Sequence, residues 1–165
     1  MPTSNLLDIL LQHDKWATQQ FLLTCEKLPD DQFRKKFDIG PGSLAATITH
    51  MIGAIRAWTD TLAQRPGRPR PEHSGVAYTP AQLTQLLDES EDELIALSKA
   101  HPLDEIVKRT REGVDYFFTR GAVIAHVATH GMHHRAQCLN MLKHLGVHPL
   151  PKSSVSEWTQ SADAA

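Results

Sequence analysis

The run Arg120-Gly-Ala-Val123-Ile-Ala-His126-Val127-Ala-Thr-His130-Gly-Met-His133-His134-Arg135-Ala-Gln137-Cys138-Leu-Asn-Met141-Leu-Lys-His144-Leu145 is periodic from end to end. At about 100° per residue, Val123, Val127, His130, His134, Cys138, Met141 and Leu145 share one stripe, the pattern of a helix with one face turned inward. Gly146 and the later Pro149 stop it. Four of the chain's ten histidines fall within nine residues of this helix. His130 and His134 are central to the inward stripe. His126 and His133 lie towards its edge, with His144 further along.

Three more helices follow from the same period. The first spans about Asn5 to Lys27, with Leu6, Leu10, Ala17, Phe21 and Leu28 on one stripe, and Leu28-Pro29-Asp-Asp ends it. The second begins after Gly40-Pro41-Gly42 with Ser43 as N-cap, and carries Leu44, Ile48, Met51, Ile55 and Leu62. The third opens on Thr79-Pro-Ala-Gln82, which has the form of a capping box with proline at the first helical position. It continues through Leu83, Leu86, Leu87, Leu94 and Leu97 and stops before His101-Pro102. Between the third and fourth helices, Ile106 to Phe118 sets β-branched and aromatic residues around a Glu112-Gly113 turn, the signature of a short hairpin. The chain, residues 1–165, therefore reads as one all-α domain. The expected fold is an up-down-type four-helix bundle with a short β-hairpin between helices three and four.

Bulk properties exclude several function classes. A net charge of −2 gives no basic footprint, which argues against a nucleic-acid partner. The single basic cluster, Arg65-Pro-Gly-Arg68-Pro-Arg70, lies in a proline-rich loop from about Gln64 to Tyr78 and reads as a solvated linker. No apolar run approaches the ~20 residues of a membrane span, and the N-terminus lacks the pattern of a signal peptide. Cys25 and Cys138 lack CxxC spacing, so they read as small core hydrophobes in a reducing cytoplasm.

The histidines carry the chemistry. Imidazole is the commonest protein ligand for several transition metals, and residues four apart on a helix share a face. A buried imidazole is costly unless both nitrogens find partners, and two adjacent ones are harder still to satisfy by packing alone. Metal ligation by His130 and His134 therefore stands beside the reading of hydrogen-bonded core histidines. A third ligand is sought on other helices. His50 borders the apolar stripe of helix two beside Ala54, Ala57 and Trp58, and His13 on helix one is a weaker rival. His73, His101 and His148 stand in loops or beside prolines, where solvent exposure is expected.

Neither HExxH nor Glu-x-x-His is present, which removes the metalloprotease and di-iron carboxylate readings. Three neutral histidines with an open position suit a single zinc or nickel ion and a water. Gln137 is near enough to the inner stripe to bond a ligand imidazole. Arg135 falls outside the core stripe and reads as a salt-bridge or capping residue rather than a substrate contact. Trp16 and Trp58 read as core or as pocket wall. A second apolar face on helix four, Ile124, Gly131, Met132, Leu139 and Leu142, suggests either a two-fold dimer or burial under the hairpin.

Three motifs also resemble the DinB-like family of small helical metal-dependent proteins. They are Asp14-Lys-Trp16-Ala17, Leu44-Ala-Ala-Thr-Ile-Thr-His50-Met, and His130-Gly-Met-His133-His134-Arg135-Ala-Gln137. The last is similar to the family's His-Gly-x-x-His-Arg-Gly-Gln, with Ala136 in place of the second glycine. The resemblance spans nearly the whole chain. It implies a divalent ion, zinc or nickel with iron or manganese as further options, held by His50, His130 and His134 with water completing the shell. It also implies a homodimer. Relatives in the wider superfamily include thiol-dependent S-transferases and a thiol-dependent isomerase. The expected function is thus a metal-dependent enzyme, an S-transferase using a low-molecular-weight thiol or else a hydrolase. A non-catalytic metal- or ligand-binding protein linked to stress is the alternative.

Overall fold

A computed structural model describes residues 5–163, so the first four and last two residues of the expected domain lie outside it. Each long helix starts where a side chain can take up free backbone donors. Asn5 accepts from the N–H groups of Leu7 and Asp8 at the head of α1 (Leu6–Cys25). Ser43 caps α3 (Leu44–Leu62) by accepting from Ala46 N–H at 3.0 Å. Thr79 and Gln82 close the expected capping box on α4 (Pro80–Ala100), and Thr119 caps α5 (Arg120–His144). Such caps satisfy donors that have no partner inside the helix.

Two short helices were not anticipated. Pro29, read as a stop, also begins a new turn, α2 (Asp30–Phe33), which seats the buried Phe33 in the core. The second, α6 (Val155–Asp163), packs on α1 and is headed by a reciprocal Ser154–Glu157 pair. The strands β1 (Ile106–Arg111) and β2 (Val114–Thr119) pair antiparallel around Glu112-Gly113 as expected. Because α2 adds to the count, the hairpin lies between α4 and α5 rather than between the third and fourth helices.

The direction of the helices also departs from a plain up-and-down order. Asp8 pairs with Lys99, Lys15 with Asp92, and Gln19 donates to Asp88, so α1 and α4 are antiparallel. His50 meets His134 while Trp58 meets His126, so α3 and α5 are antiparallel. Asp14 lies against Gly131 and Thr18 against Arg135, which makes α1 and α5 parallel. It follows that α3 and α4 run the same way.

The connection between α3 and α4 must return along α3, and it does so as a strap rather than a solvated linker. Arg65 and Arg68 both pair with the buried Asp60 of α3 and with Glu93 of α4. Further on, the 3-10 turn Pro71–His73 packs on α3.

The main helix contacts are α1 with α4 and α5, and α3 with α4 and α5. Between them lies an apolar core that includes Phe21, Leu22, Ile48, Ile52, Leu87, Leu94, Val127 and Met141. Of the second apolar face of α5, Ile124, Gly131 and Leu142 are buried within the chain and Met132 stays exposed. With Leu139 half-buried against the core, most of that face is taken up by the protein's own packing, and Met132 alone gives no separate evidence for a dimer. Among the described residues, no helix is long and apolar enough to cross a membrane.

Candidate metal centre

Three imidazoles meet midway along the α3–α5 contact. Their ligand-type atoms lie within 4.8 Å of one another on His50, His130 and His134, a group able to hold a metal ion. The i, i+4 spacing on α5 stacks His130 and His134 with ring centroids 4.4 Å apart. His50 closes the group from α3, at 5.2 Å from the His130 ring and 4.8 Å from that of His134.

Hydrogen bonding fixes which atoms converge. Gln137 Oε1 accepts only, so His134 Nδ1 at 2.8 Å is the donor. In the neutral ring His134 Nε2 then carries a lone pair, and it faces His130 Nε2 at 3.1 Å. A proton on His130 Nε2 satisfies this pair alone. A cation satisfies both rings and reaches His50 as well. Burial, foremost, and the neighbouring imidazoles push the His130 pKa down to about 4. Burial lowers that of His134 as well, against the opposing bond to Gln137. Both rings are thus kept in the neutral form that metal ligation requires. Among the described residues, the donor set fits a borderline ion such as zinc or nickel.

The surroundings sort the remaining candidates. His13 does not join the group; its Nε2 lies 2.9 Å from Ser153 O, between Trp16 and Trp158. His133 accepts from Gln137 Nε2 and extends the chain of bonds begun at His134. His126 is exposed and stands against Trp58. Trp58 walls a cavity of about 630 Å³ whose lining includes His50, His126 and His130, whereas Trp16 packs away from it. His73, His101 and His148 are exposed, as expected. Cys25 and Cys138 are buried free thiols. Burial pushes the Cys25 thiol up to about 12 and Cys138 higher still, so neither supplies a thiolate.

Two features go further than the sequence reading. Arg135 forms a salt bridge, as expected, but it does so buried, with Asp14 of α1 at 2.7 Å. A helix wheel gives the direction of Cβ but not the reach of a long side chain to a partner on another helix. The second is Glu72, brought by the strap to 3.4 Å from His50 Nδ1 and 2.6 Å from Arg70. Its carboxylate sits against Gly53, where a Cβ would overlap it. The only signal for this contact was Gly53, one helical turn after His50 on the same face.

A helical protein with a hairpin and a three-histidine group between two helices is the class that this geometry defines. The DinB family model matches residues 1–161, and the chain belongs to that family. No curated protein matches the sequence.

Proposed function

We propose that the chain is a metal-dependent enzyme whose four long helices form a bundle around one divalent ion on His50, His130 and His134. Zinc or nickel is the expected ion, with iron or manganese as the other options. One observation carries this reading: two neutral imidazoles point their Nε2 atoms at each other at 3.1 Å beside a third, next to an open cavity. A divalent ion held there supplies Lewis-acid activation of a small thiol or of water.

The chain's own residues do the rest. Gln137 orients His134, and Glu72 orients His50 from the strap. Ala54 and Ala57 keep the cavity wall low, and a volume of about 630 Å³ suits a small-molecule substrate. His126, in the wall beside His130, is the group placed to accept a proton released by thiol or water. Transfer of a low-molecular-weight thiol to an electrophile is the favoured reaction, in a cytoplasmic homodimer. The exposed apolar strip of the hairpin, with Ile106 and Phe117, offers a surface for that dimer.

The test is turnover of a soft electrophile by zinc- or nickel-loaded protein with a panel of small thiols. Thiol-dependent product, lost in His134→Ala, is expected. A metal-loaded protein that turns over neither thiol nor ester substrates is instead a non-catalytic binding protein.

A further inference from the structure

The hairpin does more than cap the helices. Its period-two alternation turns Val107, Arg109 and Arg111 of β1 and Val114, Tyr116 and Phe118 of β2 to one face. Val107 is buried in the core, and the others line the cavity that reaches His50 and His130. Three arginines therefore surround the cavity that reaches His50 and His130, since Arg70 of the strap joins Arg109 and Arg111.

These arginines are not equivalent. Arg70 is held by Glu72 at 2.6 Å, and Arg111 has Glu112 beside it at 3.4 Å. Arg109 pairs with no carboxylate among the described residues, and its Nη1 is buried without a hydrogen-bond partner. Its guanidinium carbon lies 4.1 Å above the Trp58 ring. Trp58 is itself fixed by edge contacts with Phe118 and His126. A guanidinium held over an aromatic face keeps its N–H donors for other partners, and it can bind a carboxylate through two parallel bonds. Burial, and then the charges of Arg70 and Arg111, disfavour the charged form of Arg109. A buried donor without a partner is costly, a cost that a bound anion removes.

Set against Glu72 and Glu112, the three guanidiniums leave one positive charge uncompensated, on Arg109. We propose that Arg109 is the anion-binding residue of this cavity, so that the substrate of the metal centre is a small monocarboxylate whose apolar body lies against Trp58, Tyr116 and Phe118. This rests on the metal-enzyme reading for the reacting group, but the anion site itself belongs to the strap and hairpin.

Binding of 3-phenylpropionate and of its neutral amide, measured by calorimetry on metal-free and zinc-loaded full-length protein, tests it. The acid is expected to bind at least tenfold more tightly than the amide in both forms. Arg109→Gln should bring the two within about twofold of each other, while Arg109→Lys keeps part of the preference. Lys108→Gln removes the same charge from the opposite face of the strand, where Lys108 faces Asp115. It should leave the preference intact. Equal affinity for acid and amide, or binding of neither, overturns the proposal. An equal loss in Lys108→Gln overturns it as well, because net charge then explains the effect. A preference seen only with zinc and retained in Arg109→Gln also contradicts it, since the carboxylate would then sit on the ion. Zinc content of the same samples reads out the metal centre separately. Protein that keeps the preference but takes up no zinc upholds the anion site and overturns the metal reading.

Discussion

A Cβ at position 131 would stand 2.7 Å from Asp14 Oδ1 and 2.9 Å from Arg135 Nη1, although alanine gains about 1 kcal/mol over glycine inside a helix. The clash is with the end of a short side chain already locked in a buried ion pair, so it cannot relax cheaply. Gly131→Ala is expected to destabilise the protein by about 1–3 kcal/mol in urea unfolding, the overpacking term exceeding the propensity gain. Beside this pair, Glu91 of α4 is fully buried. Burial, and then the Asp14 charge, raise its carboxyl well above the usual range, and burial raises Asp14 too against the pull of Arg135. One guanidinium thus faces two carboxyls, and burial favours the protonated form of Glu91. A folded-state pKa above the unfolded one means that the native state binds the extra proton, so stability falls as pH rises from about 4.5. Glu91→Gln should therefore be more stable than the parent at pH 8, with the difference shrinking towards pH 4.5. An unchanged pH profile would contradict this assignment. The histidine pair was legible because spacing alone puts both rings on one face. The salt bridge of Arg135 was expected as well, but its burial and its partner Asp14 were not, nor were Glu91 and Glu72, because each depends on a partner on another segment.

At the scale of elements, legibility followed local chemistry. Ser43, Thr79 with Gln82, and the turn at Glu112-Gly113 each announce themselves within four residues, and each boundary lies where those residues place it. The same signal stands in Ser154-Val-Ser-Glu157, the head of α6, where Glu157 Oε2 accepts from Ser153 N–H, Ser154 N–H and the Ser154 hydroxyl. No long apolar period follows it, so it went unread. This helix lays the buried Trp158 beside His13 of α1, neither of which belongs to the three-histidine group. Truncation after Pro151 is accordingly expected to lower the thermal midpoint by several degrees and to leave metal content unchanged. A fall in bound metal would show that α6 supports the centre. Loop reading failed for a different reason. Proline and arginine in Arg65 to Arg70 indicate irregular structure correctly, yet the ion pairs to Asp60 and Glu93 that pin it lie outside any local window.

For the whole molecule, the strap explains both the helix order and the site. With α3 and α4 parallel, the chain has to run back along α3, and on the way it delivers Glu72 to His50 and Arg70 to the cavity. Periodicity yields four long helices but is blind to their direction, which depends on how far each connection travels. The three-histidine group therefore joins a legible part, two histidines on one helix, to parts that only the tertiary arrangement supplies. The account stands on that centre. Elemental analysis of protein purified without a histidine tag, beside its His134→Ala variant, tests it most directly. The prediction is one divalent ion per chain in the parent and a loss of at least tenfold in the variant at the same metal concentration. Sub-stoichiometric metal in both after incubation with zinc or nickel would contradict it, leaving His50, His130 and His134 as packed, hydrogen-bonded side chains.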